Sequence, residues 1–144
     1  MFTILLLPII SGTMAQAIKL LIKINKEKIN LKDLIEYSGM PSGHSAITVS
    51  LTTIVGLKEG LDSALFAACF IFTMIILRDA LGMRRYLGQH GKILNLLIED
   101  VKEDKFIDQE YAKLKEGIGH TPIQVLAGSI IGFLISILGF IIFK

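Results

Sequence analysis

The sequence predicts an all-α integral membrane bundle of about four spans, with a helical insertion on its cytoplasmic side. Three observations carry that reading. The 144 residues are 52% hydrophobic and only 19% charged, more apolar and less charged than a soluble domain of this length. The apolar residues are gathered into runs separated by polar stretches. Finally, all but Lys58 and Lys144 of the 15 lysines and arginines fall on one side of a four-span arrangement. The positive-inside rule makes that side cytoplasmic and turns both termini outward, in the cytoplasmic membrane. The length fits a single domain, 1–144.

The first apolar run, 2–22, is long enough to span, since a bilayer needs about 20 apolar residues. Ala15-Gln16-Ala17 resembles a signal cleavage site, but the lysines follow the apolar core instead of preceding it, so the run reads as a retained span. The second run, 41–57, is rich in Ser and Thr, and the third, 62–78, is apolar throughout from Ser63 to Leu77. Both are short for a span. They read as tilted, partly re-entrant, or buried against the other helices. Pro41-Ser42 suits a helix start with Ser42 as cap, Gly60 a stop, and Asp62 the next cap. Thr121-Pro122 opens the fourth run, 121–143, in the same way.

The stretch 85–118 mixes acidic and basic residues with spaced apolar ones: Ile93, Leu96, Leu97 and Val101, then Tyr111 and Leu114. That spacing predicts one or two amphipathic helices, broken near 104–108 and lying close to the membrane interface. Gly128-x-x-x-Gly132, continued by Ser136, is a small-residue stripe for close helix packing, within the bundle or across a homodimer. The lone Cys69 excludes an intrachain disulfide. A net charge of +2 and the lack of basic motifs interleaved with aromatics argue against nucleic acid as a partner.

The four-span arrangement brings unusual residues to one end. Lys19 closes the first run and Pro41-Ser42-Gly43-His44-Ser45 opens the second. Arg78-Asp79 closes the third, with Arg84-Arg85 just after, and Gly119-His120-Thr121-Pro122 opens the fourth. Ionisable groups at membrane depth are costly, and their first reading is functional. This set suits an anion: helix-start N–H groups near Gly43 bind phosphate, Arg offers a planar fork of donors, and Lys a point charge. Two imidazoles divide the chemistry, one attacking phosphorus and one protonating the leaving oxygen, with no metal or cofactor required. Plainer readings stand beside this one. A His at a helix start is commonly a cap, lysines after a span snorkel to headgroups, Arg84-Arg85 is also a topogenic pair, and Asp79 suits a salt bridge with Arg78.

Pro41-Ser42-Gly43-His44 resembles the central motif of the lipid phosphate phosphatase superfamily, the type 2 phosphatidic acid phosphatases, which includes vanadium haloperoxidases. His120 through Val125-Leu126-Ala127-Gly128 looks like the second half of that superfamily's later motif, and Arg84-Arg85 like its first half, split off by an insertion. More closely, the chain resembles the divergent membrane branch, the acid phosphatase/vanadium haloperoxidase-related proteins. The matching blocks are Ala15-Gln16-x-x-Lys19, Gly39 to Ala46, Arg78-Asp79-Ala80-x-Gly82-x-Arg84-Arg85, Leu94-Asn95 and Gly119 to Pro122.

The resemblance implies a metal-independent phosphatase acting on a phosphomonoester or diphosphate; a site at the membrane interface points to a lipid or isoprenoid carrier, and the Lys and Arg distribution to a site facing the cytoplasm. His120 would be the nucleophile and His44 the general acid. Lys19, Arg84 or Arg85, and the Ser42-Gly43 backbone would hold phosphate. Arg78 and Asp79 belong to the divergent branch's own motif, and Asp79 would orient an Arg or a His. The sequence departs from the superfamily pattern at two places: Lys26-Glu27 stands where Arg-Pro is expected, and Gln124 replaces the Asp that orients the nucleophile. Arg84, five residues, then His90 also fits the motif spacing; His120 is preferred because it opens an apolar helix. The alternative is a non-catalytic membrane protein that keeps an anion- or lipid-headgroup-binding cleft. A haloperoxidase is a minor third option.

Overall fold

The computed structural model describes residues 2–24, 39–103 and 113–143. Lys26-Glu27, the expected helix break at 104–108 and Tyr111 lie outside the described residues. The rest is helical: α1 (Phe2–Ile24), α2 (Gly43–Glu59), α3 (Ala64–Leu81), α4 (Met83–Glu103) and α5 (Pro122–Ile142).

Local signals set the helix ends. Ser42 caps α2, its hydroxyl accepting from the Ser45 N–H. Gly60, at φ 88°, ends that helix. Ser63 caps α3 by accepting from the Phe66 N–H at 3.1 Å, so the cap lies one residue beyond the expected Asp62. Thr121 and Gln124 form a reciprocal capping box at the start of α5, with Pro122 in the first turn. Two side chains there satisfy donors that would otherwise be orphaned.

The interior is a polar seam along α2, whose buried residues include Ser45, Thr48, Ser50 and Thr52. α2 packs on α1, α3 and α5. Its contacts with α5 run as a ladder at four-residue intervals. Gly128 abuts the Ser42 carbonyl and Gly132 the Ala46 carbonyl, so a Cβ at either glycine would collide with α2 backbone. One step further, Ser136 and Ser50 share a 2.7 Å hydrogen bond. The small-residue stripe is therefore spent inside the bundle, and the homodimer expectation loses its argument. Thr73 on α3 meets Thr52 at 2.8 Å and donates to the Thr48 carbonyl at 3.0 Å. On α1, Gly12 faces Ile47, while Leu7 packs against Gly139 of α5.

These pairings give the topology. α2 and α5 run one way, α1 and α3 the other. Among the described residues, three helices are long and apolar enough to cross a membrane: Phe2–Ile22, Ala64–Asp100 (where α3 runs on into α4), and Pro122–Ile142. The shorter α2, 17 residues or about 25 Å of helix, sits among them, which resolves its polar composition. Its hydroxyls face protein instead of lipid, where unsatisfied polar groups are costly.

α3 continues past residue 78 to Leu81 and breaks at Gly82. α4 then leaves the bundle and packs on α3 alone among the helices. Of the stretch expected to hold a second amphipathic helix, 104–112 lies outside the described residues, and 113–118 forms no regular structure. Asn95 supplies the physical reason. Its side-chain amide accepts from the Leu114 N–H at 2.9 Å and donates to the Leu114 carbonyl at 2.9 Å. It copies the pairing of a neighbouring strand and removes the backbone groups a helix would use. The segment also crosses Gly88 and Gly91 of α4, where a Cβ would press on the carbonyls of Glu116 and Lys115.

Candidate functional site

At one end of the bundle α1 and α3 finish while α2 and α5 begin, and the expected residues meet there. His44 lies in the first turn of α2, half-buried. His120, one residue before the Thr121 cap, is buried with 4% of its surface exposed. The two ring centroids are 6.4 Å apart and the planes meet at 74°. Backbone bonds fix this spacing. The His120 N–H donates to the Ala80 carbonyl at 3.1 Å, and the Ser42 N–H donates to the Gln124 carbonyl at 3.0 Å. Gly119, at φ 95°, lies so close to the backbone of Arg84 and Arg85 that a Cβ there would collide.

The cations divide. Arg84 donates through Nε to Asp79 Oδ2 at 2.6 Å, with both side chains about one third exposed. Asp79 thus pairs with Arg84, not with the adjacent Arg78 that the sequence suggested. Arg78 is exposed on the last turn of α3. Arg85 is exposed and lines an open cleft of about 300 Å³ together with Gly39, Gln124 and residues 117–121. The cleft reaches His120, but His44, Lys19 and Arg84 are not part of its lining. Lys19 extends across the turn before α2, where its alkyl chain occupies the space a Cβ on Gly39 would need. A Cβ on Gly43 would meet open space, so the first turn of α2 leaves room for a ligand beside its backbone.

Burial, then the charges of Lys19, His44 and Arg84, push His120 down to about 4. It is neutral at pH 7, with a lone pair available. Its Nδ1 is buried and has no hydrogen-bond partner among the described residues, so Nε2 is the nitrogen able to face a substrate. Gln124 does not reach it, because its side-chain oxygen accepts from the Thr121 N–H at 2.9 Å. His90 is exposed on α4. Six residues of helix place it about 120° around from Arg84, so the spacing that fits the motif on paper separates the two in space. Among the described residues, no group of three or more His, Cys, Asp or Glu could hold a metal ion.

Sequence reasoning did not foresee the backbone ties at Ala80 and Gln124 or the Asn95 clamp. The capping box was visible as Thr121-x-x-Gln124, a known helix-start pattern. Ala80 and Asn95 lay within motif blocks but carried no signal of their own.

Residues 2–135 match the family described as the Divergent PAP2 family. The chain belongs to that family. The chain is similar to "Uncharacterized membrane protein YuiD" of Bacillus subtilis (strain 168), 37% identical over 135 residues that cover 85% of this chain and 84% of the relative. No solved structure matches the chain. The divergent PAP2 match spans every element that builds the site, from Lys19 on α1 to the first half of α5. In this setting a neutral imidazole lies beside a second imidazole and among cations. That set has the parts needed for attack on phosphorus, protonation of a leaving group and neutralisation of phosphate charge.

Proposed function

We propose that this protein is a membrane-embedded phosphatase that hydrolyses a phosphomonoester or diphosphate carried on a lipid or isoprenoid, working at the cytoplasmic face of the cytoplasmic membrane. The observation that carries the reading is the buried, uncharged His120 facing His44 amid Lys19 and Arg84. The lipid carrier follows from a site at the ends of membrane helices.

Nε2 of His120 attacks phosphorus while the P–O bond to the leaving group breaks. Protonated His44 gives its proton to the departing oxygen. Water then attacks the phospho-histidine, His44 now accepts a proton, the P–N bond breaks, and phosphate leaves with His120 neutral again. Lys19 and Arg84 neutralise the equatorial oxygens, Asp79 aims Arg84, and Arg85 receives the substrate in the cleft. The Ser42 N–H is already committed to Gln124 and its hydroxyl to the helix cap. Gly43 is therefore the backbone group we assign to phosphate. Arg78, exposed beside the cluster, is assigned to headgroup contact.

One observation favours a second reading, a non-catalytic headgroup-binding cleft: among the described residues, no carboxylate supports Nδ1 of His120. Losing such support from a histidine relay costs several orders of magnitude in other hydrolases. Rapid alkaline quench of vesicle-reconstituted protein with phosphatidic acid or isoprenyl diphosphate labelled in the transferred phosphate separates the two. The enzyme carries base-stable label on His120, lost in His120→Gln; a protein that binds both substrates without labelling or releasing phosphate is the binder.

A further inference from the structure

α4 carries two distinct faces that the proposed chemistry does not use. Gly88, Gly91 and Asn95, spaced i, i+3, i+7, form one face and receive the segment 113–119. That segment runs antiparallel to the helix, Gly119 beside Arg85 and Leu114 beside Asn95. The lengths agree: ten helical residues rise about 15 Å, and five extended ones cover about 17 Å. About a quarter turn away lies a second face of Met83, Leu87, Leu94 and Leu97, each about half exposed or more. His90 shares it by spacing and is exposed as well. Among the described residues, α3 is the one helix that packs on α4.

The occupant follows from continuity. A single residue, Gly82, separates α4 from α3, an apolar helix suited to cross the membrane. The combined helical stretch, Ala64–Asp100, is 37 residues long, about 55 Å of helix against a hydrocarbon core of about 30 Å. α4 cannot fit inside the core behind α3, yet it begins where α3 reaches the interface. Three of its charges, Arg85, Lys92 and Glu99, lie on the side opposite Leu94 and Leu97 by helical spacing. An apolar face on a helix of low overall hydrophobicity is the pattern of a helix lying in the interface plane.

We propose that the outer face of α4 rests on the bilayer surface as an in-plane anchor, and that it holds the cleft at headgroup level. The strap 113–119 forms one wall of that cleft and leads directly into His120. Seating α4 therefore fixes the height at which a lipid headgroup meets Arg85 and His120. This anchor does not rest on the phosphatase reading, since a headgroup-binding cleft would need the same placement.

The chain has no tryptophan, so single-Trp variants report position cleanly. Leu94→Trp, Leu97→Trp and Lys92→Trp would each be reconstituted in phosphatidylcholine/phosphatidylglycerol vesicles with brominated acyl chains. The expected result is lipid quenching and a blue-shifted emission for Leu94→Trp and Leu97→Trp, with Lys92→Trp quenched by aqueous acrylamide instead. Three outcomes overturn the proposal: acrylamide quenching without lipid quenching at 94 and 97, quenching there by neither agent (a face covered by protein), and lipid quenching at all three positions.

Discussion

The imidazoles of His44 and His120 stand 6.4 Å apart and nearly perpendicular, each at the start of a helix and each held there by main-chain bonds. This places two imidazoles around one small space. It also means that their roles can be told apart by the leaving group on which they act.

If His44 protonates the leaving oxygen, its loss matters most for poor leaving groups. His44→Gln is expected to lower hydrolysis of an alkyl phosphate by about 10²–10⁴-fold. An aryl phosphate with an acidic phenol as leaving group should suffer much less in phosphoenzyme formation. Pre-steady-state comparison of the two substrates checks this. Equal losses on both would assign His44 to binding.

His120 is held near 4 by burial and by the charges of Lys19, His44 and Arg84. The acid limb of kcat/KM belonging to His120 is therefore expected well below the ordinary 6.5. Lys19→Gln removes the largest of those charges and should move the limb upward. Stability carries the same signature. As pH falls from about 6.5 toward 4, the unfolded chain binds the proton first, so stability declines through that window and is free of the penalty above it. Denaturation of wild type and His120→Gln in detergent across this range measures the difference.

Gly128→Ala should destabilise the protein more than Gly139→Ala. A methyl at residue 128 meets the backbone of Ser42, whereas one at residue 139 meets the end of the Leu7 side chain, which can rotate. Overpacking against backbone costs about 1–3 kcal/mol. Thermal unfolding in detergent should rank the two, and phosphate release should fall further in Gly128→Ala, because Ser42 opens the helix that carries His44.

Asn95→Ala removes the clamp on Leu114 and the 2.8 Å bond to Glu116. At an exposed site the loss of stability should be modest, about 1 kcal/mol. The strap should loosen, however, and trypsin should cut after Lys113 or Lys115 faster than in the wild type. Activity should drop mainly in kcat, since the strap runs into His120. Unchanged proteolysis would show that the amide does not hold the strap.

Much of this was legible in the chain because apolar and charged residues are so sharply separated. The segregation of Lys and Arg located the site end, and the apolar run after His120 favoured it over His90. Other features depended on three-dimensional neighbours. Asp79 prefers Arg84 because the break at Gly82 turns the chain, a bend that hydropathy does not encode. Leu114 has the spacing of an amphipathic helix, yet Asn95, nineteen residues earlier, takes its backbone. Gln124 drew notice as a missing carboxylate, while its local pattern with Thr121 already described its work in the helix cap.

The hydroxyl seam of α2 has a consequence for biosynthesis. Ser50 finds its side-chain partner in Ser136, and the glycines that shield Ser42 and Ala46 are also on α5. α5 is made after α1, α2, α3 and α4. Until it arrives, α2 would present serines to lipid, an unfavourable surface for a helix to keep. Insertion of α2 is therefore completed by a helix synthesised long after it. The same late event brings His120 to His44, so the two imidazoles meet only when the bundle is closed.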